Sequence, residues 1–182
     1  TAETHRAALG SPHLEMFTKK GLEVLLLSDP VDEWLVNSLP DFDGKKLQSV
    51  SKGDLDLSED ELQQQEEQKE SMSSITDKLA EALADSVKEV RLTSRLTESP
   101  ACLVADENDP GANLERIMKA MGQDAPSSKP ILEINPEHPL IKGLKADDES
   151  LADWAQVLFD QAALSEGAQL KDPADYVKRI NR

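Results

Sequence analysis

Three stretches decide the fold: Val87-Lys88-Glu89-Val90-Arg91-Leu92-Thr93, Ala101-Cys102-Leu103-Val104-Ala105 and Ile131-Leu132-Glu133-Ile134-Asn135. The first alternates in the period of a strand. The second, after a loop carrying Ser99-Pro100, reads as its neighbour, and the third as a third strand. Helices surround them. Upstream, Ser58 and Glu61 form a capping box, and a helix runs to Asp85 with Ile75, Leu79, Ala82 and Leu83 as its apolar stripe. Asp109-Pro110 opens a short helix that Gly122 closes. Pro136 starts another through Leu140, Ile141 and Leu144, residues 148–165 form a strong one, and Asp172-Pro173 caps the last. A long helix, a three-stranded sheet with an inserted helix and a helical tail make an α+β fold.

The first fifty residues read differently. Residues 1–10 are polar and Ala-rich, without a cap, like the tail of something that precedes them. Ser11-Pro12 starts a helix with Leu14 and Phe17 on its buried side, and Gly21 ends it. Residues 22–27 are apolar apart from Glu23, the pattern of a strand covered on both faces. Ser28-Asp29-Pro30 caps a helix carrying Val31, Trp34, Leu35 and Leu39. Asp43-Gly44 marks a turn, and residues 47–50 a second short strand. The order α-β-α-β predicts a small α/β unit with a right-handed parallel crossover. It is too small to bury its own sheet and reads as the end of a larger domain. Composition changes at Lys52: residues 53–70 carry eight carboxylates against Lys69, a solvated helix or linker.

The chain has 182 residues, 36 acidic and 20 basic, so its net charge is 20 − 36 = −16. That balance excludes a nucleic-acid partner, whose phosphates need Lys and Arg, and disfavours an anionic membrane surface. No apolar run approaches the roughly 20 residues of a membrane span, and no signal peptide is seen. With Cys102 alone an internal disulfide is impossible, which fits a reducing, cytoplasmic setting. Apolar residues are 38% and aromatic ones 3%, so Leu, Ile, Val, Ala and Met build the core. No phosphate loop or dinucleotide fingerprint is present. His5, His13 and His138 lack metal-ligand spacing and read as surface or capping residues. Cys102 lies in an apolar strand and reads as a structural thiol. The carboxylates show no distinctive pairing, which leaves little for a hydrolase; an acidic monomeric interaction module is the other alternative.

Two surfaces carry information. The helix over 148–165 places Leu151, Trp154, Ala155, Leu158 and Ala162 on one face, with Val157, Phe159 and Leu164 as a second apolar edge. Tyr176, Val177 and Ile180 continue it in the last helix. Two such helices from each of two chains would make a four-helix bundle; a helix pair covering its own sheet would look the same. The short helix after Pro110 carries Leu114, Ile117, Met118 and Met121 at helical spacing, either core or a pliable apolar patch. Trp34 is either an anchor or core.

Several motifs then resemble, in order, the heat shock protein 90 chaperones. They are Pro12-His13-Leu14-Glu15, Lys19-Lys20-Gly21-Leu22-Glu23-Val24-Leu25-Leu26-Leu27, Asp29-Pro30-Val31-Asp32-Glu33-Trp34 and Phe42-Asp43-Gly44-Lys45-Lys46. Ser49-Val50-Ser51-Lys52, Val90-Arg91-Leu92-Thr93-Ser94-Arg95-Leu96 and Glu133-Ile134-Asn135-Pro136-Glu137-His138-Pro139-Leu140 complete the set. The resemblance covers nearly the whole chain and is to bacterial members. It implies that residues 1–55 are the end of the middle domain and residues 56–182 the C-terminal dimerisation domain. It implies a homodimer joined through Leu151, Trp154, Ala155, Leu158, Phe159, Ala162, Tyr176, Val177 and Ile180. Unfolded clients would meet Trp34, Asn37, Leu114, Ile117, Met118 and Met121, and other chaperones could join them. ATP and magnesium would be held by an N-terminal domain outside this chain, so the fragment itself would bind no cofactor and hydrolyse no ATP. The acidic pentapeptide that eukaryotic cytosolic members present to tetratricopeptide co-chaperones does not occur at Asn181-Arg182.

Overall fold

The computed structural model describes residues 1–39, 41–53, 59–107, 109, 111–123 and 128–182. It is a mixed α+β structure in which most apolar burial lies beyond residue 70.

Helix α1 (His5–Leu9) does have a cap, contrary to the sequence reading. The Thr4 side chain accepts from the Ala7 N–H. Ser11 caps a 3-10 turn, Pro12–Leu14, which leads into α2 (Glu15–Lys20). Gly21 ends α2 in the left-handed conformation at φ 67°, where a Cβ would be strained. Leu14 and Phe17 are only half-buried; His13 and Met16 are the inward residues. His13 is therefore a buried side chain, not a surface one, while His138 does cap a helix.

The predicted parallel unit does not form. Residues 22–27 carry no strand ladder, and Leu25 is 75% exposed. A strand is stable only when a neighbour takes its N–H and C=O groups, and no described strand lies alongside. Helix α3 (Asp32–Ser38) is not capped by Ser28-Asp29-Pro30 as expected: its N-cap is Val31, whose side chain makes no capping bond, and the Asp32 carboxylate accepts from the Asp29 N–H instead. The second strand also differs. β1 (Asp41–Phe42) and β2 (Lys45–Lys46) pair antiparallel across Asp43-Gly44, both at positive φ, as a two-residue hairpin requires. Residues 47–50 carry no ladder.

Helix α4 (Glu59–Ala82) turns Met72, Ile75 and Leu79 inward, Leu83 just beyond it is also buried, and Ala82 is exposed. The expected capping box lies outside what is described, at Ser58 and the Glu61 side chain. Strands β3 (Glu89–Leu92), β4 (Ala101–Val104) and β5 (Ile131–Ile134) form one sheet in the order β3-β5-β4. β4 is thus not the neighbour of β3. β5 lies between them, parallel to β3 and antiparallel to β4. Every residue of β5 is buried, which suits a central strand. Helix α5 (Ala112–Ala120) joins β4 to β5. Helix α6 (Pro139–Gly143) begins three residues later than Pro136. Asn135 explains the delay: its side chain accepts from the Glu137 N–H and its carbonyl from the His138 N–H, a turn that competes with helix.

Helix α7 (Leu151–Ser165) lies against β4 and α4, and α8 (Pro173–Ile180) lies against α7. The main core joins Leu79, Leu83, Val90, Leu92, Leu132 and Ile134 to Ile141, Leu151, Ala155, Leu158 and Ala162. On the opposite sheet face Leu96, Cys102, Val104 and Ile131 form a smaller cluster.

Candidate functional site

The sheet face bearing the smaller cluster also buries charge. Register sets Glu133 between Arg91 of β3 and Cys102 of β4. One carboxylate oxygen accepts from Arg91 Nε and Nη2 at 3.0 and 2.8 Å. The other accepts from Arg95 Nε at 2.9 Å. Burial opposes ionisation of Glu133, but the charge and hydrogen bonds of Arg95 and Arg91 outweigh it and hold its pKa below the usual carboxylate value. Burial and then the Glu133 charge push the Cys102 thiol well up, so it stays protonated at neutral pH. A thiol in that state is a poor nucleophile. Among the described residues no group of three or more His, Cys, Asp or Glu could hold a metal ion, and no helix is long and apolar enough to cross a membrane.

The apolar residues of the two terminal helices fall into three groups. Leu151, Ala155, Leu158 and Ala162 are buried in the chain's own core. Trp154, Phe159 and Tyr176 are half-buried. Val177, Ile180 and Leu164 are exposed, and α8 contains no buried residue at all. Polar contacts fix α8 instead. Asp172 accepts from the Asp175 N–H at its start. Asp153 of α7 then receives Arg179 and, at 2.9 Å, Arg182. An amphipathic helix held by its charged side leaves its apolar side free.

The expected client residues lie on α3 and on α5 with its C-cap Met121, and a hydrogen bond joins the two helices. Glu33 of α3 is 5% exposed, and its carboxylate accepts from Asn113 Nδ2 of α5 at 2.6 Å. Trp34 on α3 is 44% exposed. Asn37 is also exposed and donates to the Glu33 carbonyl at 2.6 Å. On α5, Ile117 is buried, Leu114 and Met118 are half-buried, and Met121 is 58% exposed. Sequence reasoning missed Glu33, since nothing in Asp32-Glu33-Trp34 says which side chain turns inward. It also missed Leu22, Leu25 and Phe42, which widen the exposed apolar surface of the first fifty residues. Their runs were legible; their exposure was not.

A cavity of about 660 Å³ lies between these parts, walled by Ala7, Val24, Leu26, Arg116 and Glu166 among others. His13 Nε2 is 2.7 Å from Glu166 Oε1 there.

The chain belongs to the Hsp90 protein family, whose family model matches residues 1–182. It is 59% identical over 186 residues to the Chaperone protein HtpG of Aromatoleum aromaticum, covering 100% of this chain and 29% of that protein. It is 58% identical over 185 residues to the Chaperone protein HtpG of Dechloromonas aromatica, with the same coverage. The chain therefore spans less than a third of the length of these relatives.

Proposed function

We propose that this chain is the homodimerisation and client-contact part of an ATP-dependent cytoplasmic chaperone. Residues 1–55 would close the middle domain, and residues 56–182 would form the dimerisation domain. ATP and magnesium would bind in another part of the longer protein, and this part would not hydrolyse ATP.

The observation that carries the dimer is α8. It has no fully buried residue, and it exposes Val177 and Ile180, as α7 exposes Leu164. Packing α7 and α8 against a second copy makes a four-helix bundle and removes that apolar surface from water. Joining two arms at one end raises the effective concentration of each for the other. Trp34 with Asn37, and Met121 with the half-buried Leu114 and Met118, would offer clients a weak, sequence-tolerant apolar surface. Ile117 would support α5 from beneath.

Sedimentation equilibrium over a dilution series tests the dimer. The expected mass is near twice the 20.0 kDa of one chain. Val177→Asp with Ile180→Asp should yield a folded monomer, because both side chains are exposed in the single chain. A wild-type monomer at every concentration, or an unchanged dimer in the double variant, overturns the reading. Leu158→Asp is the wrong test, since it would charge the chain's own core.

A further inference from the structure

Five side chains carry sulfur: Cys102, Met16, Met72, Met118 and Met121. Four of them are shielded. Cys102 is fully buried, and burial and then the Glu133 charge keep its thiol protonated, the form that reacts slowly with peroxides. Met16 is 7% exposed, and Met72 and Met118 are half-buried. Met121 is 58% exposed.

Met121 is the C-cap residue of α5. Its N–H donates to the carbonyls of Ile117 and Met118, and the Gly122 and Gln123 N–H groups close the helix on those of Lys119 and Met118. Gly122 takes φ 72°, the left-handed conformation of such a stop, and a Cβ there would meet nothing within 4 Å. The backbone at Met121 is therefore fixed while the space beside it is open. Met121 also lies outside both apolar clusters, so its thioether supports neither.

We propose that Met121 is an oxidation site, and that hydrogen peroxide acting there switches off the apolar surface of α5. A sulfur lone pair attacks one peroxide oxygen. The S–O bond forms as the O–O bond breaks, and the leaving hydroxide takes up the proton of the transferred hydroxyl. The thioether is oxidised by two electrons to a sulfoxide, and the peroxide is reduced to water. The new oxygen is a hydrogen-bond acceptor. In the free chain water satisfies it, so the fold is unchanged. Under an apolar client that water is displaced and the oxygen loses its partner, which weakens the contact. The cost falls on the bound state alone, which is what shifts an equilibrium. A dithiol reductase reverses the step: the oxygen leaves as water and the dithiol becomes a disulfide. The inference rests on the reading of α5 as a client surface and names its regulation.

Brief treatment with hydrogen peroxide, ended with catalase, tests the site by peptide mass analysis. Sulfoxide should gather at Met121 before Met118, Met72 or Met16 is oxidised, and before Cys102 is. Light scattering of heat-unfolding citrate synthase tests the switch. The chain concentration that halves aggregation should rise about tenfold on treatment, and should return after methionine sulfoxide reductases act. Circular dichroism should not change. Met121→Leu has a similar volume and no sulfur. Compared with its own untreated sample, this variant should lose nothing on treatment, whereas Met72→Leu should lose as much as the wild type. Three results overturn the switch alone: another sulfur oxidised first, full suppression by chain that carries the Met121 sulfoxide, or an equal loss in Met121→Leu. Loss of helix on treatment overturns it as well. No suppression by the untreated chain overturns the client reading, and the switch with it.

Discussion

Residues 22–27 and β5 are both short apolar runs interrupted by one glutamate, and they have opposite fates. In β5 the glutamate is buried between two arginines, and every residue is covered. In residues 22–27 there is no ladder, and Leu22 and Leu25 face water. The residue pattern is nearly the same. The difference is the company: β5 finds a strand on each side and helices over one face, whereas residues 22–27 find no described strand. Hydrophobic pattern creates a demand for burial; only a neighbouring strand turns it into a sheet.

The comparison can be broken most forcefully at Glu133. Replacing it with Ala removes the carboxylate that pairs with the buried Arg95 and with Arg91, and breaking a buried pair costs about 3–5 kcal/mol. Urea unfolding should show that loss. Leu132→Ala in the same strand removes a fully buried side chain and should cost about 2–5 kcal/mol, depending on how far the cavity collapses. The matching change in the first region, Leu25→Ala, should move the unfolding midpoint by no more than about 0.5 kcal/mol, the range for exposed positions. A large loss at Leu25 would mean that residues 22–27 are buried in solution and would erase the contrast.

Smaller effects sharpen the picture. Asp172→Ala should cost about 1 kcal/mol, the worth of a helix cap, and should fray α8 in amide exchange while the sheet stays protected. The smallest is a pH effect at Glu15. Burial opposes its ionisation, but hydrogen bonds from Glu98, Ser99 and Thr97 outweigh it, and its pKa falls below 4.5. A carboxyl with a lowered folded-state pKa stabilises fully above its unfolded value and loses that contribution as pH falls through the folded one. The stability gap between wild type and Glu15→Gln should therefore be constant above pH 4.5 and close below it. A gap that persists in acid would show that Glu15 holds its loop without its charge.

Much of the architecture was legible because its signals are local. Ser11 and Asp172-Pro173 do cap their helices, Gly21 does end α2, and Asp43-Gly44 does turn the chain. The three strands of the sheet lie where their patterns put them. The family, too, was legible, since ordered motifs along the chain carry it. The errors have one character. Strand order was misread because adjacency in sequence does not say which strand takes the centre. The wide apolar face of α7 hid a division: Leu158 looks inward and Leu164 outward, a difference of six residues on one helix.

The sequence by itself determined where the three strands of the sheet lie, several of the caps and stops of the helices, and the family to which the chain belongs. These depend on capping groups, backbone restrictions and periodicities within a few residues. Only the tertiary structure decided that β5 is central, that residues 22–27 pair with no described strand, and that Glu133, Arg95 and Glu33 are buried while Val177 and Ile180 are not. Those outcomes depend on partners far along the chain. Whether a charge can be buried is settled by the countercharge that folding brings within 3 Å, as Arg95 at 2.9 Å does for Glu133.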